Sequence, residues 1–153
     1  MKAFRILITI ITVGSLLAYS GCKPKGGTPE TTQDKQLGLL STTWKIFSVS
    51  QGGTDVTSSW KGFSVAITGT KGATSFQYSC AGRPALSPWP ASGTWAFGTD
   101  PVTQIIRDKG SVNDELAMTY SVNATKLQVG YNFPSTRAGY TKVDGDWVFT
   151  FNK

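Results

Sequence analysis

The sequence predicts an all-β protein built as an eight-stranded antiparallel up-and-down meander barrel. Apolar and polar residues alternate along eight short runs, and turn-forming pairs such as Asp144-Gly145 separate the runs. Gly, Thr, Ser and aromatic residues outnumber the residues that favour helices, and no stretch has a helical period of useful length. An eight-stranded β-sandwich has the same strand count and stays open as the alternative.

The eight runs follow one another between residues 42 and 152, and each has one mainly apolar face. In chain order, these faces are formed by Trp44 and Ile46; by Phe63, Val65 and Ile67; by Phe76, Tyr78 and Cys80; by Trp95 and Phe97; by Val102, Gln104 and Ile106; by Leu116, Met118, Tyr120 and Val122; by Leu127, Val129, Tyr131 and Phe133; and by Trp147, Phe149 and Phe151. The first run is ambiguous, because Phe47 and Val49 lie on the opposite face from Trp44. Most aromatic residues fall on the inner face, which favours a packed core; the alternative is the wall of an apolar cavity.

Residues 1–21 are predicted to be a signal segment. Lys2 and Arg5 precede an apolar run that ends in small residues directly before Cys22. The run is shorter than the roughly 20 apolar residues that a membrane-spanning helix needs. Residues 19–22 resemble a bacterial lipobox, in which the cysteine receives diacylglycerol, and the resemblance predicts lipidation of Cys22. The alternative is plain cleavage, which would leave Cys22 as an ordinary thiol.

Residues 23–36 contain no Val, Ile, Leu or aromatic residue and are rich in Pro, Gly, Thr and charge. Such a composition is typical of a flexible linker. We therefore expect residues 22–36 to be a lipidated cysteine with a flexible tether, and residues 37–153 to form the barrel domain.

The composition argues against several classes of function. The chain has no histidine, which excludes His-based catalytic triads and ordinary catalytic zinc sites. Loss of residues 1–21 removes two positive charges and lowers the formal charge from +6 to +4. No dense Lys/Arg cluster remains, so we expect no nucleic-acid partner. Cys80 is interpreted as a small buried apolar residue on a strand. No motif indicates a metal site or a cofactor.

Four stretches share a resemblance to one family: Leu40–Trp44, Trp89–Phe97, Ile106–Gly110 and Gly145–Phe151. They resemble the lipocalin-like domains of Bacteroidetes lipoproteins. Leu40–Trp44 is similar to the Leu-x-Gly-x-Trp start of those domains, although Thr42 stands in place of the Gly. The similarity covers about residues 37–153 and implies a lipocalin-like antiparallel barrel. It implies little about activity, because most members of the family have no assigned function.

In lipoproteins of this group, an acidic run directly after the cysteine resembles a signal for export to the cell surface. Lys23-Pro24-Lys25 lacks such a run. The resemblance therefore favours an outer-membrane anchor that faces the periplasm.

The connections between the runs are unequal. The long ones, 50–61, 81–92, 107–115 and 134–145, fall at one end of the predicted barrel; 69–73, 98–101, 123–125 and both termini fall at the other. Function tends to collect in loops on a rigid scaffold, and exposed Trp and Arg residues are enriched in binding surfaces. We expect the long-loop end to face away from the membrane and to carry these candidate ligand-binding residues: Trp60, Arg83, Trp89, Arg107, Arg137 and Tyr140. The alternative is that both tryptophans fold inward and plug the barrel.

Together these observations favour a lipid-anchored, non-catalytic binding module of the bacterial envelope. Its partner would be a glycan, a small ligand or an envelope protein. One alternative is a carrier that holds a small apolar ligand inside the barrel, as the aromatic inner face suggests. Another is a purely structural envelope protein. An enzyme has no motif behind it.

Overall fold

The computed structural model describes residues 29–134 and 143–153. The predicted signal segment, Cys22, Arg137 and Tyr140 lie outside the described residues. The elements are a helix α1 (Thr32–Leu40), a 3₁₀ helix (Thr57–Trp60) and nine strands: β1 (Thr43–Gln51), β2 (Thr54–Asp55), β3 (Ser64–Thr68), β4 (Phe76–Ala81), β5 (Ser92–Phe97), β6 (Gln104–Arg107), β7 (Leu116–Val122), β8 (Lys126–Phe133) and β9 (Gly145–Asn152).

Eight of the strands form a closed antiparallel up-and-down barrel, which confirms the predicted fold class over the sandwich. Strands β1 and β3 to β9 pair with their neighbours in chain order, and β9 returns to pair with β1. The additional short strand β2 forms a hairpin with the end of β1, where Ser50 is opposite Asp55. Closure leaves no unpaired edge among the barrel strands.

A β-bulge in β1 resolves the ambiguity of the first strand. Ile46 is opposite Phe151 and Ser48 is opposite Thr150, so β1 advances two residues while β9 advances one. The extra residue is Phe47, whose side chain is 59% exposed. Because the bulge shifts the alternation by one residue, Trp44 and Val49 are both buried on the inner face.

The predicted inner face of β6 is wrong. Ile105 and Arg107 are buried, whereas Val102 and Gln104 are exposed. Two adjacent isoleucines fit either alternation, and apolar periodicity does not place an arginine inside a barrel. Arg107 is accommodated there by the adjacent Asp108 carboxylate and by contacts from the loop that carries Pro88 and Trp89.

Helix α1, of nine residues, covers the short-loop end of the barrel and was not expected from the sequence pattern. Thr31 and Asp34 form a capping box at its start. Leu37 and Leu40 are buried, and the indole of Trp44 donates a hydrogen bond to the carbonyl oxygen of Leu40 at 2.9 Å. Only two residues face the core, so the segment shows no helical period.

The helix also changes the boundary of the predicted tether. Residues 32–36 belong to α1, within the stretch that was expected to be flexible. Gly72 donates its amide hydrogen to Asp34 at 3.2 Å, and Tyr120 donates to Gln36 at 3.2 Å. These bonds fix the start of the helix to the 69–75 connection and to strand β7. In the described ranges, no helix is long and apolar enough to cross a membrane.

Long and short connections segregate to opposite ends of the barrel, as predicted. Between successive barrel strands, the connections 52–63, 82–91, 108–115 and 134–144 lie at one end, although residues 135–142 are outside the described part. The connections 69–75, 98–103 and 123–125 lie at the other end, with α1. We call the two ends the long-loop end and the short-loop end.

Leu40→Ala is expected to destabilise the protein by about 2–5 kcal/mol, because this substitution leaves a cavity under the helix. Leu39→Ala is the matched control, since Leu39 is exposed on the same helix and its loss should change stability by less than about 0.5 kcal/mol. Urea unfolding of the two variants measures the difference. Equal stabilities would show that α1 does not seal the barrel.

Candidate functional site

The two loop tryptophans lie inside the barrel, so the expectation that they form an exposed binding surface is wrong. Trp60 is 2% exposed and Trp89 is 5% exposed. Trp60 is the last residue of the 3₁₀ helix. Its ring centroid lies 4.8 Å from that of Phe149 and 5.7 Å from that of Trp147. The alternative weighed above, that both residues plug the mouth of the barrel, describes their positions.

Trp89 occupies the centre of the lumen. Its ring lies 6.2 Å from Phe63, 5.9 Å from Tyr78, 6.1 Å from Tyr131 and 5.8 Å from Phe149. Three of these residues belong to different strands, and Phe63 directly precedes β3. The loop side chain therefore contacts the wall around much of its circumference. Trp89 therefore occupies the space in which a ligand would contact these same aromatic side chains.

Two arginines hold the segment that carries Trp89. The Arg83 guanidinium donates to the carbonyl oxygen of Trp89 at 2.6 Å, and Arg107 donates to the carbonyl oxygen of Pro88 at 2.9 Å. Ser87 accepts a hydrogen bond from the backbone N–H of Trp89 at 3.1 Å. Both arginines were expected to contact a ligand. In this structure they bind the chain's own loop.

Arg107 is 2% exposed, so its predicted place in a surface loop is wrong. Its guanidinium carbon lies 5.7 Å from the centre of the Trp89 ring, and its Nε lies 3.4 Å from the Asp108 carboxylate. Asp108 also accepts hydrogen bonds from Tyr78 at 3.1 Å and from the amide of Thr94 at 2.9 Å. A buried cation is costly unless it is paired, and the adjacent carboxylate, ring and carbonyl together offset that cost.

Two glycines make room for this arrangement. A Cβ at Gly93 would collide with the Asp108 carboxylate and would lie 2.5 Å from the Tyr78 hydroxyl. A Cβ at Gly82 would collide with the backbone of Gly62, and Gly82 also has a φ of +65°. The second contact joins two of the long connections, so the loops at this end brace each other.

The space left inside the barrel is small. An apolar-walled cavity of about 30 Å³ lies between Leu40 at one end and Trp89 and Arg107 at the other. Cavities that bind a molecule such as benzene measure roughly 150 Å³. In this conformation the lumen is a packed core, as the number of inward aromatic residues predicted.

The side chains of Trp60 and Trp89, which together plug the barrel, are stabilised mainly by packing against other aromatic rings. Within the described residues, four buried polar atoms have no hydrogen-bond partner: Nε1 of Trp89, Nε1 of Trp95, Nε of Arg107 and Oη of Tyr131. Each such atom costs about 1–3 kcal/mol. The closed arrangement is therefore sustained by the apolar area that the large rings bury.

Of the predicted ligand-binding residues that the structure describes, only Arg83 is exposed at the long-loop end. Leu86 is 57% exposed in the same connection as Arg83, and Val112 is 98% exposed in the neighbouring connection. The only sequence signal for Leu86 and Val112 is a single aliphatic residue within a turn-rich connection. Such residues are common at surfaces, so this signal is weak.

A second concave surface lies on the outer wall. An open groove of about 570 Å³ runs across β6 to β9, where Ala117 and Gly130 leave space. Asn132 donates to Asp146 at 2.8 Å on one side of it. Its wall combines polar side chains and the Asp146 carboxylate with the aliphatic side chains of Ile106 and Val148.

Cys80 is a poor nucleophile in this environment. Its side chain is half-buried on β4, and burial raises the pKa of its thiol to about 12. At neutral pH the group stays protonated, whereas the thiolate is the reactive species. Among the described residues, no group of three His, Cys, Asp or Glu side chains could hold a metal ion.

Comparison with known proteins gives no relative: no family model, no curated protein and no solved structure matches this chain.

Trp89→Ala is expected to destabilise the protein by about 3–5 kcal/mol, because the ring that fills the lumen is removed. Leu86→Ala, in the same connection, should change stability by less than about 0.5 kcal/mol, since its side chain is exposed. Thermal and urea unfolding measure both effects. An unchanged stability for Trp89→Ala would show that Trp89 leaves the lumen in solution.

Stability is expected to fall as the pH rises above about 9. Burial raises the pKa of Tyr78, Tyr120, Tyr131 and the Cys80 thiol. The unfolded chain loses these protons near the ordinary values, 9.0 for Cys and 10.0 for Tyr, while the folded chain keeps them. The unfolded state then binds fewer protons, so its relative free energy falls.

Urea unfolding between pH 8 and 11, with tyrosinate absorbance recorded in parallel, measures this decline. Tyr131→Phe is the matched control, because the Tyr131 hydroxyl has no hydrogen-bond partner to lose. This variant should decline less steeply than the wild type. Ionisation of Tyr78, Tyr120 and Tyr131 near pH 10 in the fully folded protein would contradict the prediction.

Proposed function

We propose that this protein is a lipid-anchored, non-catalytic binding module of the bacterial envelope, whose partner binds at the long-loop end. The observation that carries the proposal is that the two ends of the barrel differ. Pro29 and α1 enter at the short-loop end, while Leu86 and Val112 are exposed at the opposite end. An anchor at Cys22 would hold the first end near the membrane and leave the second end free.

Two sequence features support the anchor and its location. Residues 19–22 resemble a lipobox, and Lys23-Pro24-Lys25 lacks the acidic run of surface-exported lipoproteins. We place the protein on the periplasmic face of the outer membrane on these grounds. The barrel is compatible with membership of the lipocalin-like domains of Bacteroidetes lipoproteins, which stays part of this proposal.

An envelope protein is the partner that the exposed chemistry fits best. Glycan sites commonly present an aromatic face for the sugar ring, but Trp60 and Trp89 are both buried. The exposed groups at this end include two aliphatic side chains, Leu86 and Val112, together with charged residues such as Arg83, Lys61 and Lys109. Aliphatic anchors with a surrounding polar rim are typical of protein interfaces.

The carrier alternative receives less support, because it would require Trp89 to leave the lumen. The ring lies against four aromatic neighbours, and the two arginines hold its backbone. A ligand of useful size would have to displace all of these contacts. A purely structural role does not require Trp89 to move. The experiment that tests the binding role also tests this structural role.

The binding proposal is tested by placing a photo-crosslinking amino acid at Val112 in living cells. We expect one discrete protein adduct at Val112, and at least a fivefold loss of that adduct when Leu86→Ser is added. A crosslinker at Val148, on the outer wall, is the matched control and should give no such adduct. The melting temperature should be unchanged by Leu86→Ser.

The outcomes separate the alternatives. Adducts at Val148 alone would move the partner to the outer groove. No adduct at any position would favour the structural role. A small-molecule or lipid adduct at Val112, identified by mass, would exclude the protein partner.

A further inference from the structure

A second exposed patch lies around Phe47, on the outer wall of the barrel toward its short-loop end. Lys45 on β1 and Lys126 on β8 are both in register with Asn152 on β9. Adjacent strands lie about 4.8 Å apart, so the two lysines stand roughly 10 Å apart across β9. The Lys126 ammonium lies 5.7 Å from the centre of the Phe47 ring. The three side chains thus form one surface, which we call the Phe47 patch.

The Phe47 patch extends to the neighbouring chain segments. Lys153 donates its backbone N–H to Thr125, the residue before Lys126, at 3.1 Å. Leu39 is exposed on the last turn of α1, which leads into β1. These segments border the Phe47 patch, whose own members stay the Phe47 ring and the two lysines, Lys45 and Lys126.

The two lysines of the patch are not paired with acids. Within the described part of the chain, neither Lys45 nor Lys126 forms an ion pair. The described acids at this end bond elsewhere: Glu30 pairs with Lys71, Asp34 accepts from Thr31 and Gly72, and Asp100 accepts from Val102 and Thr103. Asn152, between the two lysines, is neutral. A surface of this kind is complementary to a layer of negative charge.

The length of chain before the barrel brings this surface to the membrane. Six residues separate Cys22 from Pro29, the first described residue, and the seven Cα–Cα steps between the two span at most about 25 Å when extended. Glu30 and α1 lie at the short-loop end, the end that holds the start of β1 and of β8. A lipid at Cys22 would keep the patch within reach of the bilayer surface.

We propose that the Phe47 patch rests on an anionic lipid bilayer, with Phe47 and Leu39 entering the headgroup region and the lysines facing lipid phosphates. This inference deepens the proposed anchoring at Cys22. The lipid supplies attachment, and the patch supplies orientation. Each lysine near an anionic surface contributes roughly fivefold to partitioning, so the patch alone binds weakly and a tether makes it effective. In this orientation the long-loop end faces away from the membrane.

Lysine acetylation read by mass spectrometry tests the orientation. The lipidated full chain is reconstituted in phosphatidylcholine vesicles with or without 30% phosphatidylglycerol, an amount of about one anionic lipid in three. With phosphatidylglycerol, Lys45 and Lys126 should react at least threefold more slowly, and high salt should restore their rate. Lys61 and Lys109, exposed at the long-loop end, are internal controls and should react at one rate throughout.

Two matched variants test the apolar contact. Phe47→Ser should abolish the protection, whereas Leu86→Ser should preserve it. The two side chains have nearly equal exposure, 59% and 57%, at opposite ends of the barrel. Both variants should keep the wild-type melting temperature. Equal protection in phosphatidylcholine alone, or protection that survives Phe47→Ser, would overturn the proposal.

A third sample separates this inference from the anchor. The chain from residue 22 onward, which contains every described element, carries Cys22→Ser and is mixed with the same vesicles at millimolar lipid. Protection of Lys45 and Lys126 here supports the patch without any lipid on the protein. Lipid found on Cys22 of the natural chain without selective protection would reject the patch and keep the anchor. Protection without lipid on Cys22 would reject the anchor and keep the patch.

Discussion

Closure of the sheet by the pairing of β1 with β9 is the constraint on which the rest of this structure depends. Closure removes the strand edges, but it also creates an interior with two open ends that must be filled or left to a ligand. This chain fills it. Helix α1 covers one end with Leu37 and Leu40, and the long connections fill the other with Trp60 and Trp89. Each cover is fixed by hydrogen bonds to backbone carbonyls, so the interior is a core rather than a binding cavity.

A filled interior moves the possible sites of recognition to the outside of the barrel. The long-loop end offers Leu86 and Val112, and the outer wall offers a groove over Ala117 and Gly130. The arginines that a surface site could have used bind the Trp89 segment instead. Binding by this protein, as we propose it, therefore depends on surfaces carried by braced loops and not on the lumen.

The two ends of the barrel differ in chemistry as well as in loop length. The short-loop end carries the Phe47 patch, where lysines without acidic partners surround an exposed ring. The long-loop end exposes the aliphatic side chains Leu86 and Val112, and the buried cation there, Arg107, is compensated by Asp108. A molecule with such unlike ends suits attachment at one end and recognition at the other, which is the common logic of both proposals.

The sequence by itself determined the strand alternation, the turn positions and the segregation of long from short connections, because these depend on local residue order. It also determined that any functional site works without histidine, because the chain contains none. Only the tertiary structure decided which way β1 and β6 face, since a bulge at Phe47 and the inward Arg107 depend on partner strands and on a loop remote in sequence. It also decided that Trp89 fills the lumen, because the aromatic contacts that hold this ring come from several different strands and no local pattern contains them.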